Sequence, residues 1–477
     1  MSRRPPSLIG LALILRTIGP RWSTTRARIE RLLVAERRYA WWWALIFIAL
    51  GARVGWAAWI AHAHPSAVMN GDTPGYVGPA RALVQTRHFT LSPDDATPMF
   101  LRTPGYPALL AVILWVTDSQ QSISPIQAVL SVLPVLVTVV VARRVIGPTA
   151  AMMAGAVIAF DPLQFASSGT ILTESLATLT LVGMVAVGVG VFARRTDQVR
   201  PRVVVALGTV TAAAMMVRPT MYFFPVVGLV FLAFRFRDQP LRRLLALLLA
   251  FAMPIVIVAG GWQVRNHYAV NSWQIAGAGP VTLYCYDAAA VQAKVTGRGM
   301  ASARRELGCN PSGWDNLAKA CPAWWGCDVP HPLERGRSFD EMSRRGLHVL
   351  ARNPLQTAQV AFQGLGRETL GPGTDTVRRF LNASSSPALT IALFSWNLLL
   401  WMLALVGVVV ALRSRLRAFW AFVIVIVVYV MTTSAGAEAD ARFRTPIVPL
   451  LGLLAAVGAQ HLVRRVREER FARPPRR

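Results

Sequence analysis

Apolar runs divide this chain. Stretches of about 17–25 residues with few or no charges are long enough to cross a hydrocarbon core about 30 Å thick. A crossing backbone has to satisfy its own hydrogen bonds, and continuous apolar runs of that length do so as helices. Such runs occupy residues 40–61, 124–142, 203–217, 219–234, 244–262, 387–411, 418–433 and 446–463. Two weaker runs, 149–160 and 174–192, flank a polar break from Asp161-Pro162 to Thr173-Glu174. The fold class expected is an all-α integral membrane protein with about ten transmembrane helices. A composition of 54% hydrophobic and only 15% charged residues over 477 positions excludes an ordinary soluble multidomain chain.

The formal charge is +27, which on a soluble surface would suggest nucleic acid or another polyanion as partner. The charges, however, are concentrated. Segments 1–39, 143–148, 194–202, 235–243, 412–417 and 464–477 hold 29 Arg and 6 acids, a net +23, while the remainder holds 21 basic and 17 acidic residues. The positive-inside rule makes the basic segments cytoplasmic. Both termini are then expected in the cytoplasm of a multi-pass protein of the inner (plasma) membrane, with membrane lipids as partners and no nucleic acid. Near the start, Arg3 and Arg4 precede an apolar stretch from Leu8 to Leu15, as in a signal peptide. Arg16, Arg21 and Arg26 follow with no small-residue cleavage site, so an interfacial helix is expected there.

This topology divides the chain into a basic segment 1–39, a transmembrane module 40–262, an extracytoplasmic subdomain 263–386, C-terminal transmembrane helices 387–463 and a basic tail 464–477. A first outer loop, 62–122, lies within the module. Its apolar stretch Ala108 to Val116 is read as an interfacial helix, because a full span there would put Arg143 and Arg144 on the wrong side. Cys285, Cys309, Cys321 and Cys327 all fall in 263–386. An even number on the outer face favours two disulfides, with three pairings open. Zinc on Cys309, Cys321 and Cys327 is the weaker reading, since the spacings lack a Cys-x-x-Cys pair.

Several short motifs fall on the outer side in order. Asp72 follows the first span with Tyr76 four residues on, and Arg102-Thr103-Pro104-Gly105-Tyr106-Pro107 comes next. Thr173-Glu174-Ser175 heads the fourth span, Arg265-Asn266 opens the large loop, and Asp440-Ala441-Arg442-Phe443-Arg444-Thr445-Pro446 precedes the last span. In this order the chain, from about residue 40 to 460, resembles the lipid-linked-sugar-dependent glycosyltransferases of the GT-C superfamily. It is most similar to the branch containing protein O-mannosyltransferases and the lipid A aminoarabinose transferase. The segment Glu341 to Leu370, with Arg352-Asn353-Pro354, also resembles that branch. The chain departs from the pattern at Thr103, where Pro is usual, and at Asp72, a single acid where many relatives carry a pair.

The resemblance implies a GT-C-like bundle that moves a sugar from a polyprenyl-phosphate donor to the hydroxyl of a glycan, lipid or protein acceptor on the extracytoplasmic face, with inversion. Asp72 is the candidate base, since a carboxylate there accepts the hydroxyl proton during attack; the plainer alternative is a helix N-cap. Arginine suits the leaving phosphate because its planar fork makes paired charge-assisted hydrogen bonds. Arg102, Arg218, Arg265, Arg442 and Arg444 lie at outer boundaries, with Arg265 and Arg442 favoured. Headgroup contact or pairing with Glu438 or Asp440 is the plainer role. Tyr76, Tyr106 and Asn266, in the same motifs, are the remaining candidates for substrate binding. Asp161 and Glu174, converging with Asp72, are candidate ligands of a divalent metal ion; otherwise they are a turn residue and a helix-start acid.

Trp314, Trp324 and Trp325 either stack on a sugar or pack the cysteine-bearing loop, with packing favoured, and Asn382-Ala383-Ser384 is read as an incidental glycosylation pattern. The absence of a Walker loop, a dinucleotide fingerprint or a Gly-x-Ser-x-Gly elbow argues against a cytoplasmic nucleotide substrate. A multispanning transporter or lipid flippase is the alternative class. It would place ionisable groups at mid-membrane and show related halves; the spans here are almost free of acids and show no matched halves. Arg53, inside the first span, is expected to face protein or reach the outer interface.

Overall fold

The computed structural model describes residues 23–69, 71–309, 332–381 and 386–472. The chain forms two compact units, 1–48 and 49–477. In the first, residues 23–48 are the leading part of the helix Ser23–Ala63, and Trp41 and Trp43 are exposed, as aromatic residues of an interfacial belt would be. The stretch from Leu8 to Leu15 lies outside the described residues, as do Cys321, Cys327, Trp314, Trp324, Trp325 and Asn382-Ala383-Ser384.

Among its described residues the second unit is all-α apart from one short hairpin, and it is that of a multi-pass membrane protein. Among the described residues, eight helices are long and apolar enough to cross a bilayer: Ala40–Ala63, Gln120–Ile146, Glu174–Phe192, Pro219–Phe236, Leu241–Val270, Pro387–Leu412, Arg417–Ser434 and Ala441–Glu469. Pro148–Phe160 joins Pro162–Ser168 at a bend of 54°, and Pro201–Val217 is apolar but only 17 residues long. Each of the ten apolar runs in the sequence therefore lies mainly in helix, eight of them in segments long enough to cross.

Two interruptions of the helical ladder meet at Arg53. At Asp161-Pro162 the proline lacks an N–H and the helix bends. Between Leu130 and Leu133 the helix of the Gln120–Ile146 segment is also interrupted. Both breaks free carbonyls in an apolar setting, where an unpaired one is costly. Arg53, fully buried, donates to Ile158 O at 2.7 Å, Ser131 O at 3.2 Å and Ser131 Oγ at 3.0 Å. The charge in the first span thus faces protein. Elsewhere helices approach closely through glycine: Gly407 of Pro387–Leu412 and Gly458 of Val448–Ala472 each lie against the other helix's backbone, leaving no room for a Cβ.

The helices also order the charges. The basic turns 194–202 and 235–243 are joined, Arg235 donating to Arg194 O at 2.7 Å and Arg243 to Asp197 O at 2.8 Å. Glu174–Phe192 runs from Glu174 to this turn, and Pro201–Val217 returns from it to Arg218. Glu174 and Arg218 are therefore at the opposite end of the bundle from the basic turns.

At that end, residues 62–122 form the helices Pro65–Val68, Pro74–Thr86 and Gly105–Thr117 with an antiparallel hairpin, Thr90–Ser92 against Asp95–Pro98. The hairpin is an addition to the helices expected there; the short β-favouring strand at Thr90 turns at Pro93-Asp94 and pairs back on itself. Gly105 allows the start of Gly105–Thr117 to lie on Pro201–Val217, since a Cβ would come within 2.6 Å of Met216 O.

Residues 263–381 add helices that include Pro332–Arg352 and Pro354–Leu370. Cys285 and Cys309 form a disulfide, which removes Cys309 as a zinc ligand. Met99, Phe100 and Leu101 of the first loop share a core with Tyr284, Cys285, Phe339 and Met342.

Candidate active site

Asp72 lies in the turn before Pro74–Thr86. Its carboxylate does not cap that helix; Thr73 is the capping position and makes no side-chain cap, its hydroxyl donating instead to Ile171 O at 3.0 Å. Asp72 Oδ1 accepts from Arg102 Nη2 at 2.7 Å, and Oδ2 lies 3.4 Å from Arg442 Nη1. Arg102 comes from the Arg-Thr-Pro-Gly-Tyr-Pro run and lies over the Tyr76 ring, 4.8 Å from its centre. Tyr76 meets Tyr106 edge to face at 5.1 Å, and the Tyr106 hydroxyl donates to Gln127 Oε1.

Arg442 is delivered by the short helix Ala441–Ile447, whose first turn Asp440 caps by accepting from Arg442 N at 2.7 Å. Its guanidinium also faces Glu174, with Nε 3.6 Å from Oε1. Glu174 is 2% exposed and heads the helix Glu174–Phe192, where the dipole favours an acid. Arg218 Nη2 lies 3.5 Å from the same oxygen, and Glu174 Oε2 has no hydrogen-bond partner among the described residues. Phe443 lies between Arg218 and Arg442, its ring centre 5.7 Å from one guanidinium and 5.4 Å from the other. Three arginines and two carboxylates from five separate stretches of sequence thus alternate in one cluster.

Its electrostatics follow from that order. Burial alone would raise the Asp72 carboxyl, but Arg102 and Arg442 outweigh it and hold the group below the usual carboxylate range. Burial, the Asp72 charge and Glu174 push the Tyr76 phenol up against opposition from Arg102 and Arg218, so it stays protonated and able to donate.

The other candidates lead elsewhere. Arg265 donates to Met99 O at 2.9 Å and Phe89 O at 3.0 Å, with its guanidinium over the Trp262 ring. Asn266 donates to Gln274 O and Ile275 O. Arg444, 3% exposed, donates to Glu368 O at 2.7 Å and Gly371 O at 3.0 Å. These three residues tie backbone segments together beside the cluster and do not join it. Asp161 caps Pro162–Ser168, accepting from Gln164 N at 3.0 Å and from Trp396 Nε1 at 2.9 Å. The expected convergence of Asp72, Asp161 and Glu174 on a metal is not found. Among the described residues no three His, Cys, Asp or Glu side chains are arranged to hold a metal ion, and Asp72 and Asp161 have both carboxylate oxygens engaged by protein donors.

Three acids and one arginine of this region are not among the candidate site residues above. Glu438 accepts from the Thr282 hydroxyl at Oε2, 3.3 Å away. Its loop is held by Arg367, which donates to Gly436 O, Ala437 O and Ala439 O, and by Asp287, which accepts from Ala437 N at 2.7 Å. Glu368, on Pro354–Leu370, is fully buried, and neither carboxylate oxygen has a hydrogen-bond partner among the described residues. Burial pushes it up to about 8, with Arg218 and Arg444 opposing and Asp440 adding to the rise.

Residues 101–262, less than half of the chain, match the family model described as dolichyl-phosphate-mannose-protein mannosyltransferase. The matched stretch holds the Arg102–Pro107 run, Glu174 and Arg218. No curated protein sequence matches. Among solved structures, the chain is similar to the Archaeoglobus fulgidus oligosaccharyltransferase in its apo form, at 12% identity and a TM-score of 0.49, covering 90% of this chain and 52% of that one. The chain thus spans about half the length of that enzyme. Another similar structure is ArnT from Cupriavidus metallidurans bound to undecaprenyl phosphate, at 15% identity and a TM-score of 0.39, covering 88% of this chain and 78% of that one.

Proposed function

We propose that the protein is a membrane glycosyltransferase that moves a sugar from a polyprenyl-phosphate donor to an acceptor hydroxyl at the end of the bundle holding Asp72. The observation that carries this reading is the alternation Arg102–Asp72–Arg442–Glu174–Arg218, which sets a carboxylate between arginines at the ends of apolar helices. The family match over residues 101–262 supports the donor class. The concentration of 29 Arg in six segments of the sequence supports cytoplasmic termini, an extracytoplasmic site and a plasma-membrane location.

In the proposed reaction the acceptor hydroxyl attacks the anomeric carbon from the face opposite the phosphate and gives its proton to Asp72, so the product is inverted. The carbon–oxygen bond to phosphate breaks with its electron pair, and the charge left on the phosphate is met by Arg442, Arg218 and Arg102. Tyr76 and Tyr106, both buried, back Arg102 from beneath and hold it towards Asp72. Asp72 and Asp161 meet protein donors through both carboxylate oxygens, whereas Glu174 Oε2 has no hydrogen-bond partner among the described residues.

Purified protein in lipid vesicles, offered a panel of polyprenyl-phosphate sugars and hydroxylic acceptors, tests the reading. Transfer from at least one donor, abolished in Asp72→Asn, is the outcome expected. Transfer by Asp72→Asn at the wild-type rate overturns the role of Asp72, and no transfer from any donor overturns the reaction.

A further inference from the structure

The turn between Pro387–Leu412 and Arg417–Ser434 lies away from the Asp72 cluster, because the far end of Arg417–Ser434 leads to the loop that carries Arg442. Leu412, Arg413, Ser414, Arg415 and Arg417 line a cavity of about 630 Å³ there. The turn is braced from within. The Ser414 hydroxyl donates to Ala411 O at 2.7 Å and accepts from Leu416 N at 3.2 Å, and Arg417 N donates to Ser414 O at 3.2 Å. Three guanidiniums are thereby held around one space, and residues 387–437 contain no Asp or Glu to pair with them. None of the three makes an ion pair or a side-chain hydrogen bond among the described residues. From the cavity an apolar stripe runs along the helix: Leu412, Val409, Leu405, Met402 and Leu398, spaced alternately by three and four residues, are each between 42% and 56% exposed. The stripe is about 21 Å long, more than half of a hydrocarbon core about 30 Å thick.

We propose that this turn is a specific site for one anionic phospholipid of the adjacent leaflet, with its phosphate against Arg413, Arg415 and Arg417 and an acyl chain along the stripe. A guanidinium makes paired charge-assisted hydrogen bonds to phosphate oxygens, and basic pockets between membrane helices take such headgroups. Three like charges within five residues repel one another, so an anion among them is favoured. The general attraction of basic loops to acidic membranes does not explain the arrangement, as the other basic turns show. There Arg195 pairs with Asp197 and Arg237 with Asp238, while Arg235 and Arg243 donate to backbone carbonyls. The adjoining stripe selects a lipid over free phosphate, since head and chain are met together. Polyprenyl phosphate also joins a phosphate to a hydrocarbon tail, but in the reading above its arginines stand at the opposite end of the bundle.

The test is native mass spectrometry of the full-length protein in detergent, stripped of lipid and titrated separately with phosphatidylglycerol, phosphatidylcholine and a polyprenyl phosphate. Wild type is expected to bind one phosphatidylglycerol at least about tenfold more tightly than phosphatidylcholine. Combined Arg413→Gln, Arg415→Gln and Arg417→Gln brings the two phospholipids to near parity and leaves polyprenyl phosphate binding unchanged. Arg415→Gln alone, which disturbs the turn least, weakens phosphatidylglycerol by about fivefold. Combined Arg195→Gln, Arg237→Gln and Arg242→Gln removes the same charge from the other basic turns and keeps the preference. Equal binding of the two phospholipids by wild type overturns the site. An equal loss in the second triple variant overturns it too, since diffuse charge then suffices. Loss of polyprenyl phosphate rather than phosphatidylglycerol on removing Arg413, Arg415 and Arg417 overturns the phospholipid as occupant.

Discussion

One guanidinium, that of Arg442, faces two carboxylates: Nη1 lies 3.4 Å from Asp72 Oδ2 and Nε 3.6 Å from Glu174 Oε1. The first loop and the head of a transmembrane helix are thereby joined through a residue 370 positions from Asp72. A planar fork spans both acids, whereas the single ammonium of lysine does not. Arg442→Lys is therefore expected to lower kcat by at least about tenfold with the protein folded. Arg442→Ala leaves two carboxylates without this partner and is expected to cost about 3–5 kcal/mol of stability, measured by unfolding in detergent.

Glu368 gives a stability signature in pH. Its folded-state value of about 8 lies above the ordinary 4.5, so the protonated acid is the form the fold prefers. Its stabilising contribution is fully present below 4.5 and is lost as pH rises to about 8. The melting temperature of wild type is expected to fall relative to that of Glu368→Gln across this window, by a few degrees. Parallel melting curves for the two proteins would contradict the burial of an unpaired carboxyl.

Arg53 is expected to matter for folding alone. Arg53→Leu restores apolarity but strands the Ile158 and Ser131 carbonyls, at about 1–3 kcal/mol for each group left unsatisfied. The folded fraction should keep the wild-type donor KM. A raised KM with unchanged stability would place Arg53 in contact with substrate, contrary to its burial.

The Cys285–Cys309 bridge closes a loop with a sequence separation of 24 next to the helix that presents Thr282. Cys285→Ser or Cys309→Ser is expected to cost about 2–4 kcal/mol, read as a lower unfolding midpoint that reductant reproduces in wild type.

Much of the bundle is legible because membrane length and charge are read from short windows: the apolar runs lie mainly in helix, and the order of basic linkers puts Asp72, Arg102, Glu174, Arg218 and Arg442 on one face. What sequence did not separate was one outer arginine from another. Arg265 and Arg444 have the same boundary positions as Arg102 and Arg442, but their guanidiniums serve backbone carbonyls at loop and helix ends. Which partner an arginine finds depends on how distant segments dock, and no local pattern encodes that. Asp161 behaved as its Asp-Pro neighbour suggests, capping the bent helix. Glu368 lies in the segment 341–370 that resembles the family but is singled out by no spacing there, and only its complete burial makes it unusual.

The alternating cluster has a bearing on turnover. Its three guanidiniums share two carboxylates, with Arg102 and Arg218 each meeting one of them and Arg442 meeting both. In the proposed reaction a phosphodiester with one negative charge enters, and a phosphomonoester that is able to carry two departs. The pocket therefore attracts its spent carrier lipid more strongly than the fresh one. Catalytic speed is then governed by how fast the used lipid escapes, and polyprenyl phosphate should compete with donor at concentrations below the donor KM.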